Sequence, residues 1–243
     1  MRKFVKTILL NTHKGMNILI IGATSGIGHE LWKYYASEKN KVAVLGRRKA
    51  EIDSMIKNST GYTIGYTCDI SDIKAYNDVF DIVLKEFVTL DLIIVCAGIG
   101  ELNPELNINT ELATIHVNVE GWTNCVDKAY NLFSKQNHGH LVVITSIGGM
   151  QPTPAAPSYS ASKAYQINYI KAIQRKAKGS AINITEIRPG LIDTRMAKGD
   201  GLFWIMPLDS VAKTIIRAID NKRSNVITNK KWRLINFILK HFT

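Results

Sequence analysis

A tyrosine and a lysine four residues apart are the side chains of this sequence best suited to moving a proton. Tyr159 and Lys163 occur in the segment Tyr-Ser-Ala-Ser-Lys, and in a helix this spacing puts both on one face. Free tyrosine titrates near pH ~10, but nearby positive charge stabilises the phenolate and lowers its pKa. The pair therefore suits proton exchange with a substrate oxygen near pH ~7, although the same spacing also arises by chance on helix surfaces.

A glycine-rich segment follows the first apolar run of the chain, residues 18–21. Between a strand and a helix, glycines let backbone amides approach a pyrophosphate at the positive end of the helix. The alternative is a tight strand-to-helix turn that binds no ligand. We expect the segment to hold a dinucleotide through Gly22, Thr24, Ser25, Gly26, Ile27 and Gly28.

Two arginines follow the second apolar run, residues 42–45. They lie roughly 20 residues beyond the glycines, where an NAD-selective site presents an acid to the ribose 2′-hydroxyl. Arg47 and Arg48 suit a 2′-phosphate instead, because a guanidinium forms paired, charge-assisted hydrogen bonds with it. They predict NADP(H) rather than NAD(H), with solvated surface arginines as the alternative interpretation.

The elements that must position these residues alternate along the chain. Apolar runs typical of strands buried on both faces lie at residues 18–21, 42–45, 62–66, 92–95, 141–145, 182–187 and 226–228. Stretches with helical spacing lie at residues 29–37, 73–86, 110–135, 158–178 and 209–221. This alternation predicts a single-domain α/β fold, a doubly wound parallel sheet (Rossmann fold) that binds ligands at the carboxyl ends of its strands.

Together these motifs resemble the classical short-chain dehydrogenase/reductase family, and the resemblance covers residues 17–228. The motifs follow the family's order: the glycine-rich loop, Asp69-Ile70, Cys96-Ala97-Gly98, Asn118, Ser146, Tyr159 with Lys163, and Pro189-Gly190 with Thr194. Two positions depart from the pattern, because Ile21 replaces a threonine and Val95-Cys96 replaces two asparagines. We expect Cys96 to act as a small buried hydrophobe rather than a nucleophile, and to weaken cofactor affinity.

The resemblance implies a role for each motif residue. Ser146 would polarise the substrate carbonyl, Tyr159 would donate or remove the proton, and Lys163 would hold the nicotinamide ribose and lower the pKa of Tyr159. Asn118 would position a water that relays protons to Lys163. Beyond the glycine-rich loop and the arginines, the implied cofactor-binding residues are Asp69, Ile70, Ala97, Gly98, Tyr159, Lys163, Pro189, Gly190, Ile192 and Thr194.

The activity that the resemblance implies is hydride transfer between NADP(H) and a carbonyl or alcohol substrate, with Tyr159 as general acid/base. The alternative is a catalytically inactive dinucleotide-binding sensor or scaffold, but such relatives usually lose the Tyr or the Lys. An epimerase or dehydratase of the extended type needs a larger C-terminal region than follows Pro189. No metal site is expected, because His138 and His140 lack partners at metal-ligand spacing.

The net charge of +11 suggests a polyanionic partner until the charges are located along the chain. Residues 1–15 contain four basic residues and residues 222–243 contain six, with no acids in either segment. Removing these ten charges leaves +1, so a nucleic-acid groove is not expected. The cysteines Cys68, Cys96 and Cys125 fit neither a disulfide framework nor a zinc site, which indicates a cytoplasmic protein.

The two ends and one internal segment lie outside the catalytic motifs. Residues 1–15 are interpreted as an extension before a domain of residues 16–228, and residues 229–243 as a basic amphipathic tail. The tail favours either weak contact with the inner face of a membrane or packing against its own domain or a dimer partner. Residues 195–206 correspond to the family's substrate lid and indicate an apolar substrate, unless their side chains pack in the core. The resemblance also implies a homodimer or homotetramer.

Overall fold

A computed structural model describes residues 15–193, 205–229 and 232. Its strands are β1 (Asn17–Ile21), β2 (Lys41–Gly46), β3 (Tyr62–Thr67), β4 (Leu92–Val95), β5 (Gly139–Ile144), β6 (Ile182–Arg188) and β7 (Asn225–Ile227). Its α-helices are α1 (Gly26–Ser37), α2 (Lys49–Lys57), α3 (Ile73–Phe87), α4 (Ile108–Ile115), α5 (Trp122–Gln136), α6 (Pro157–Lys176) and α7 (Leu208–Asp220). A π-helical turn (His116–Gly121) joins α4 to α5, and a 3-10 turn (Ile147–Gly149) follows β5.

The strands form one parallel sheet in the order β3-β2-β1-β4-β5-β6-β7. The chain builds outward from β1 to β3 and then crosses to the other side of β1 to form β4. The loops after β1 and β4 therefore leave the sheet in opposite directions, which opens a crevice at the carboxyl ends of the strands. The predicted α/β fold, a doubly wound parallel sheet in a single domain, is confirmed.

The central strands are buried on both faces, which explains their continuous apolar sequences. In β1, Ile18 and Ile20 pack on one side with residues of α1 such as Leu31, while Leu19 and Ile21 pack on the other side. These β1 residues have no exposed surface. Each face of the sheet thus anchors a layer of helices, and the backbone at the carboxyl end of β1 is held rigidly from both sides.

Local signals fix several helix ends near the site. Asp72 accepts a hydrogen bond from the N–H of Ala75 at 2.9 Å at the start of α3, and Asn107 accepts from the N–H of Asn109 at 3.0 Å at the start of α4. These are N-terminal caps, which satisfy N–H groups that a helix leaves without partners. Proline is the first residue of α6, where its missing N–H costs nothing.

Most of the predicted elements are confirmed to within a few residues at their ends. Two predictions differ from the structure: the stretch at residues 110–135 is broken by the π-helical turn, and α2 was not predicted. Residues 1–14 of the extension, Thr194, residues 195–204 of the lid, and the tail except Asn229 and Trp232 lie outside the described residues. None of the described helices is long and apolar enough to cross a membrane.

Candidate active site

The loops at the carboxyl ends of the strands enclose a cavity of about 1170 Å³. This exceeds the usual volume of small-molecule pockets, roughly 300–1,000 Å³, so a dinucleotide and a small substrate can share it. Nearly all of the expected site residues border it: Gly22, Thr24, Ser25, Gly26, Ile27, Gly28, Arg47, Arg48, Asp69, Ile70, Ala97, Gly98, Ser146, Tyr159, Lys163, Pro189, Gly190 and Ile192. Asn118 lies behind the cavity wall, and Thr194 lies outside the described residues.

The glycine-rich loop passes unusually close to the loop that follows β4. Gly22 has a φ of +85°, and a Cβ at this position would lie 2.5 Å from the backbone nitrogen of Ala97. Glycine is the residue that tolerates both conditions. Helix α1 then begins after Ser25, whose side chain makes no capping hydrogen bond to the described residues. The first N–H groups of α1 therefore stay available at the cavity, where the helix dipole favours a phosphate.

The two arginines lie beside the glycine-rich loop. Arg48 donates to Thr24 Oγ1 from Nη2 at 3.0 Å and from Nε at 3.3 Å. Arg47 Nη1 lies 3.6 Å from Asp69 Oδ2, and the other carboxylate oxygen of Asp69 accepts hydrogen bonds from the N–H and hydroxyl of Ser71. Partial burial favours a higher pKa for Asp69, but these hydrogen bonds and the Arg47 charge outweigh it and hold the pKa below its usual range.

Ser146 and Tyr159 lie beside each other in the cavity wall. Ser146 follows β5, and its hydroxyl accepts from the N–H of Gly148 at 3.0 Å and lies near the phenol of Tyr159. Burial raises the pKa of Tyr159, and the nearby Ser146 hydroxyl offsets only part of that effect. In the protein without nucleotide, the phenol is therefore protonated at neutral pH and can act as a proton donor.

Two glycines leave room for the tyrosine ring. A Cβ at Gly100 would lie 2.5 Å from the ring of Tyr159, and a Cβ at Gly148 would lie 3.1 Å from it. Neither glycine has a positive φ, so close approach rather than backbone conformation requires them. The sequence does not predict this close packing around the ring, because Gly100 and Gly148 belong to different loops that meet only in the fold.

Lys163 is almost completely buried one helical turn after Tyr159. Its side chain is 4% exposed, and Nζ lies 5.9 Å from the centroid of the Tyr159 ring. Nζ donates to Oε1 of Gln166 at 2.9 Å. Burial lowers the pKa of Lys163 to about 8, and the proximity of Cys96 acts weakly in the opposite direction. The thiol of Cys96 is itself neutral, because burial raises its pKa to about 12.

Asn118 lies in the π-helical turn and connects three parts of the site. Its side chain accepts from the N–H of Ile99 at 2.8 Å and donates to the carbonyl of Ile99 at 2.7 Å and to Ser162 Oγ at 3.1 Å. It thereby ties the loop after β4 to α6. The backbone carbonyl of Asn118 accepts a hydrogen bond from Nε2 of Gln166 at 2.8 Å.

Two carboxylates hold the elements that carry Ser146 and Tyr159. Glu111 accepts from the N–H of Ser158 at 3.0 Å in the first turn of α6, directly before Tyr159. The hydrogen bonds from Asn103 and Ser158 lower the pKa of Glu111, so it stays charged. A negative charge at this helix end is also favoured by the helix dipole.

The second carboxylate, Glu186, is completely buried in β6. It accepts two hydrogen bonds of 2.7 Å from Arg188 and one of 2.9 Å from Thr145 Oγ1, the neighbour of Ser146. The paired geometry satisfies the buried charge and fixes the ends of β5 and β6 relative to each other. Sequence reasoning missed Glu111, Glu186 and Gln166, because none of them belongs to a motif. Only Gln166 could have been found from the sequence, since it lies one helical turn after Lys163.

The arrangement fits a nicotinamide dinucleotide. The free helix end and the arginines offer partners for phosphates, and Lys163 retains two further N–H donors for hydroxyl groups. Ser146 and Tyr159 supply donors for a substrate oxygen. Within the part of the chain that the structure describes, no group of three His, Cys, Asp or Glu side chains is placed to bind a metal ion.

Two proteins of similar sequence are named as an oxidoreductase and a reductase. An uncharacterised oxidoreductase of Staphylococcus epidermidis is 22% identical over 183 residues, which cover 74% of this chain and 80% of the relative. A 3-oxoacyl-acyl-carrier-protein reductase of Thermotoga maritima is 28% identical over 190 residues, 76% of this chain and 77% of the relative.

The fold has close counterparts among solved structures. A short-chain dehydrogenase/reductase of Burkholderia phymatum in complex with NAD has a TM-score of 0.82 at 18% identity, covering 93% of this chain and 92% of that one. The sequence model of the short chain dehydrogenase family matches residues 16–201, which include the glycine-rich loop, Ser146, Tyr159 and Lys163. The chain therefore belongs to the short-chain dehydrogenase family of oxidoreductases, which bind nicotinamide dinucleotides.

Proposed function

We propose that this protein is an NADP(H)-dependent oxidoreductase that transfers a hydride between nicotinamide and a carbonyl or alcohol substrate, with Tyr159 as general acid/base. The observation that carries the proposal is the shared cavity, which is bordered by the glycine-rich loop, the two arginines, Ser146 and Tyr159. A nucleotide loop and a proton donor in one cavity suit a reaction that adds hydride and proton to the two ends of a C=O bond. Membership of the family supports the oxidoreductase class.

The polar groups of the cavity have distinct tasks in carbonyl reduction. Bound nicotinamide supplies the hydride and, in the reverse direction, accepts it. Ser146 donates a hydrogen bond to the substrate oxygen, and Tyr159 Oη passes its proton to that oxygen as negative charge develops there. Burial keeps the proton on Tyr159 until then. The Lys163 ammonium, 5.9 Å from the ring centroid, stabilises the phenolate that is left.

The preference for NADP(H) rests on the arginines of this chain. Both guanidiniums border the cavity, and Thr24 holds that of Arg48 against the glycine-rich loop. A 2′-phosphate gains charge-assisted hydrogen bonds from such groups, whereas a ribose 2′-hydroxyl gains less. The Burkholderia structure holds NAD, so family membership alone does not favour either nucleotide.

The walls of the cavity support an apolar or partly apolar carbonyl or alcohol substrate. Leu102, Ile147 and Leu208 border it together with the reacting groups. Apolar walls with a few convergent polar groups are typical of small-molecule sites. The Thermotoga relative is named for a 3-oxoacyl substrate, so 3-oxoacyl thioesters belong in a substrate screen beside simple ketones and aldehydes.

A homodimer or homotetramer is supported by apolar side chains on and beside α4. Ile108 is 63% exposed, Leu112 is 42% exposed and Ile115 is 37% exposed. Clustered exposure of this kind marks protein interfaces more often than open surface. Light scattering after size-exclusion chromatography measures the assembly directly, and a monomer at micromolar concentration would contradict this part of the proposal.

The nucleotide is tested by fluorescence titration of the purified protein with NADPH and NADH. We expect tighter binding of NADPH and a loss of about ten- to hundredfold in its affinity for Arg47→Asp and Arg48→Ala, with little change for NADH. Lys49→Ala is the matched control, because Lys49 is exposed and pairs with Asp53 outside the cavity. If neither nucleotide binds, the oxidoreductase proposal is wrong.

The reaction is tested by a screen of carbonyl compounds with NADPH, followed at the absorbance of the reduced nucleotide. Tyr159→Phe is the control, because it keeps the ring in its slot and removes the transferable proton. Turnover that Tyr159→Phe abolishes supports the proposed role. Tight nucleotide binding without turnover of any substrate class would favour a sensor or scaffold that binds the nucleotide.

A further inference from the structure

The amide of Gln166 connects the buried lysine to the backbone of the π-helical turn. Gln166 lies on α6 one turn after Lys163, and its side chain is completely buried. Its Oε1 accepts from Lys163 Nζ at 2.9 Å, and its Nε2 donates to the carbonyl of Asn118 at 2.8 Å. The side chain thus provides an acceptor at one end and a donor at the other, and both partners need these in a buried position.

The neighbours of Lys163 make this acceptor important. The groups that face Nζ are the neutral thiol of Cys96 at the end of β4, the phenol ring of Tyr159 and the Gln166 amide. A Cβ at Gly98 would lie 3.4 Å from Nζ, so the loop after β4 closes over the same side. Among the described residues, no carboxylate lies within 4 Å of Nζ to balance its charge. The oxygen of Gln166 is therefore the main group that stabilises the ammonium before a nucleotide binds.

We propose that Gln166 is a positioning residue of the active site: it keeps the Lys163 ammonium charged and in one place by tying it to the carbonyl of Asn118. The proposal rests on the proposed function, in which that ammonium stabilises the Tyr159 phenolate. The π-helical turn at Asn118 fits this role. Such a turn disturbs the regular hydrogen bonding of the helix and exposes a carbonyl to a side-chain donor, here Nε2 of Gln166.

Two substitutions separate this role from a purely structural one. Gln166→Met has a similar unbranched shape but offers no comparable acceptor, so the charged lysine loses its stabilising hydrogen bond. Gln166→Glu keeps an acceptor and adds a negative charge next to the ammonium. We expect the midpoint of the Lys163 titration to fall by about one pH unit in the first variant and to rise by about one unit or more in the second.

The titration is measured by carbon NMR of labelled lysine side chains in the protein without nucleotide, and Lys163→Met identifies the resonance. Gln174→Met is the matched control, because Gln174 is on the same helix but bonds the carbonyls of Ile184 and Ser224. Its Lys163 midpoint should stay at the wild-type value. In a plot of the rate of carbonyl reduction against pH, the high-pH limb should shift in the same directions as the NMR midpoints.

Shifts of opposite sign support the proposal, because a residue that only filled space would lower the melting temperature in both variants without this pattern. Unchanged midpoints, or shifts of the same sign, overturn it. If Gln166→Met does not fold, the upward shift in Gln166→Glu decides the question alone. The NMR titration needs neither nucleotide nor substrate, so a failure to find turnover would count against the proposed function and leave this test intact.

Discussion

Replacing Lys163 should make the folded protein more stable at neutral pH, although it removes a group that we propose takes part in the reaction. Burial lowers the pKa of this lysine from 10.5 to about 8. At about 1.4 kcal/mol per pKa unit, the charged form in the folded protein costs roughly 3 kcal/mol relative to the unfolded chain. Lys163→Met removes that cost but leaves Gln166 without its donor, which costs about 1 kcal/mol. The net expectation is a gain of about 2 kcal/mol at pH 7.

The pH dependence follows from which state binds the proton. Below the folded pKa of about 8, Lys163 is charged in both states and the cost of burial is complete. Between about 8 and 10.5 the folded lysine is neutral while the unfolded one still binds its proton, so wild-type stability rises with pH. The advantage of Lys163→Met should therefore shrink by about 2–3 kcal/mol between pH ~7 and pH ~10.

Urea denaturation at several pH values between these limits measures the effect. The other titrating groups are common to both proteins and cancel in the difference between their free energies of unfolding. Lys178→Met is the matched control, because Lys178 is exposed two residues after the same helix ends and its replacement should change the free energy of unfolding little. A Lys163→Met difference that is constant across the pH range would refute the reasoning, since it would mean that the buried lysine is not destabilised by its charge.

Three further predictions concern the tyrosine, the glycine-rich loop and the buried ion pair. Tyr159→Phe should lower kcat/KM for carbonyl reduction by about 10²- to 10⁴-fold, measured by steady-state kinetics. Gly22→Ala should weaken nucleotide binding and should destabilise the fold more than Gly179→Ala. Both glycines have a φ of +85°, but only at Gly22 would an added Cβ collide with backbone atoms. Urea denaturation of the two variants measures the difference in stability. Glu186→Gln should cost about 3–5 kcal/mol in the same assay, because Arg188 is left buried beside a neutral partner; a cost below 1 kcal/mol would contradict the role given to this pair.

The strands of this fold were predictable because the sheet is buried on both faces. Such strands need continuous apolar runs, and these stand out against the polar segments between them. Helix α2 gave a weaker signal, because Ile52 and Met55 are its only buried residues among the nine and charged residues surround them. The break at residues 116–121 gave none, since one extra residue in a helical turn changes the apolar spacing too little to be recognised.

The residues proposed to carry the chemistry could be predicted, whereas the residues that hold them could not. Tyr159 and Lys163 lie at a spacing that suits proton transfer, and Ser146 was assigned from the resemblance to the family's order of motifs. Glu111 reaches the first turn of α6 from 47 residues away, a contact that depends on how two helices pack. Glu186 likewise contacts Thr145 only because β6 lies beside β5 in the folded sheet. Selection for such contacts acts on tertiary geometry, which leaves no pattern in one sequence.

Gln166 was predictable only in part, because it follows Lys163 by one helical turn but belongs to no motif. The chemistry of its side chain explains why an amide suits the position. An apolar side chain there would leave both the ammonium and the Asn118 carbonyl without partners, which favours the neutral lysine. A carboxylate would satisfy the ammonium but repel the carbonyl oxygen 2.8 Å from the present donor, and would hold the lysine charged far above neutral pH. A carboxamide accepts from one partner and donates to the other without adding charge. The lysine then keeps a pKa of about 8, low enough to respond to a phenolate nearby and high enough to stay charged at neutral pH.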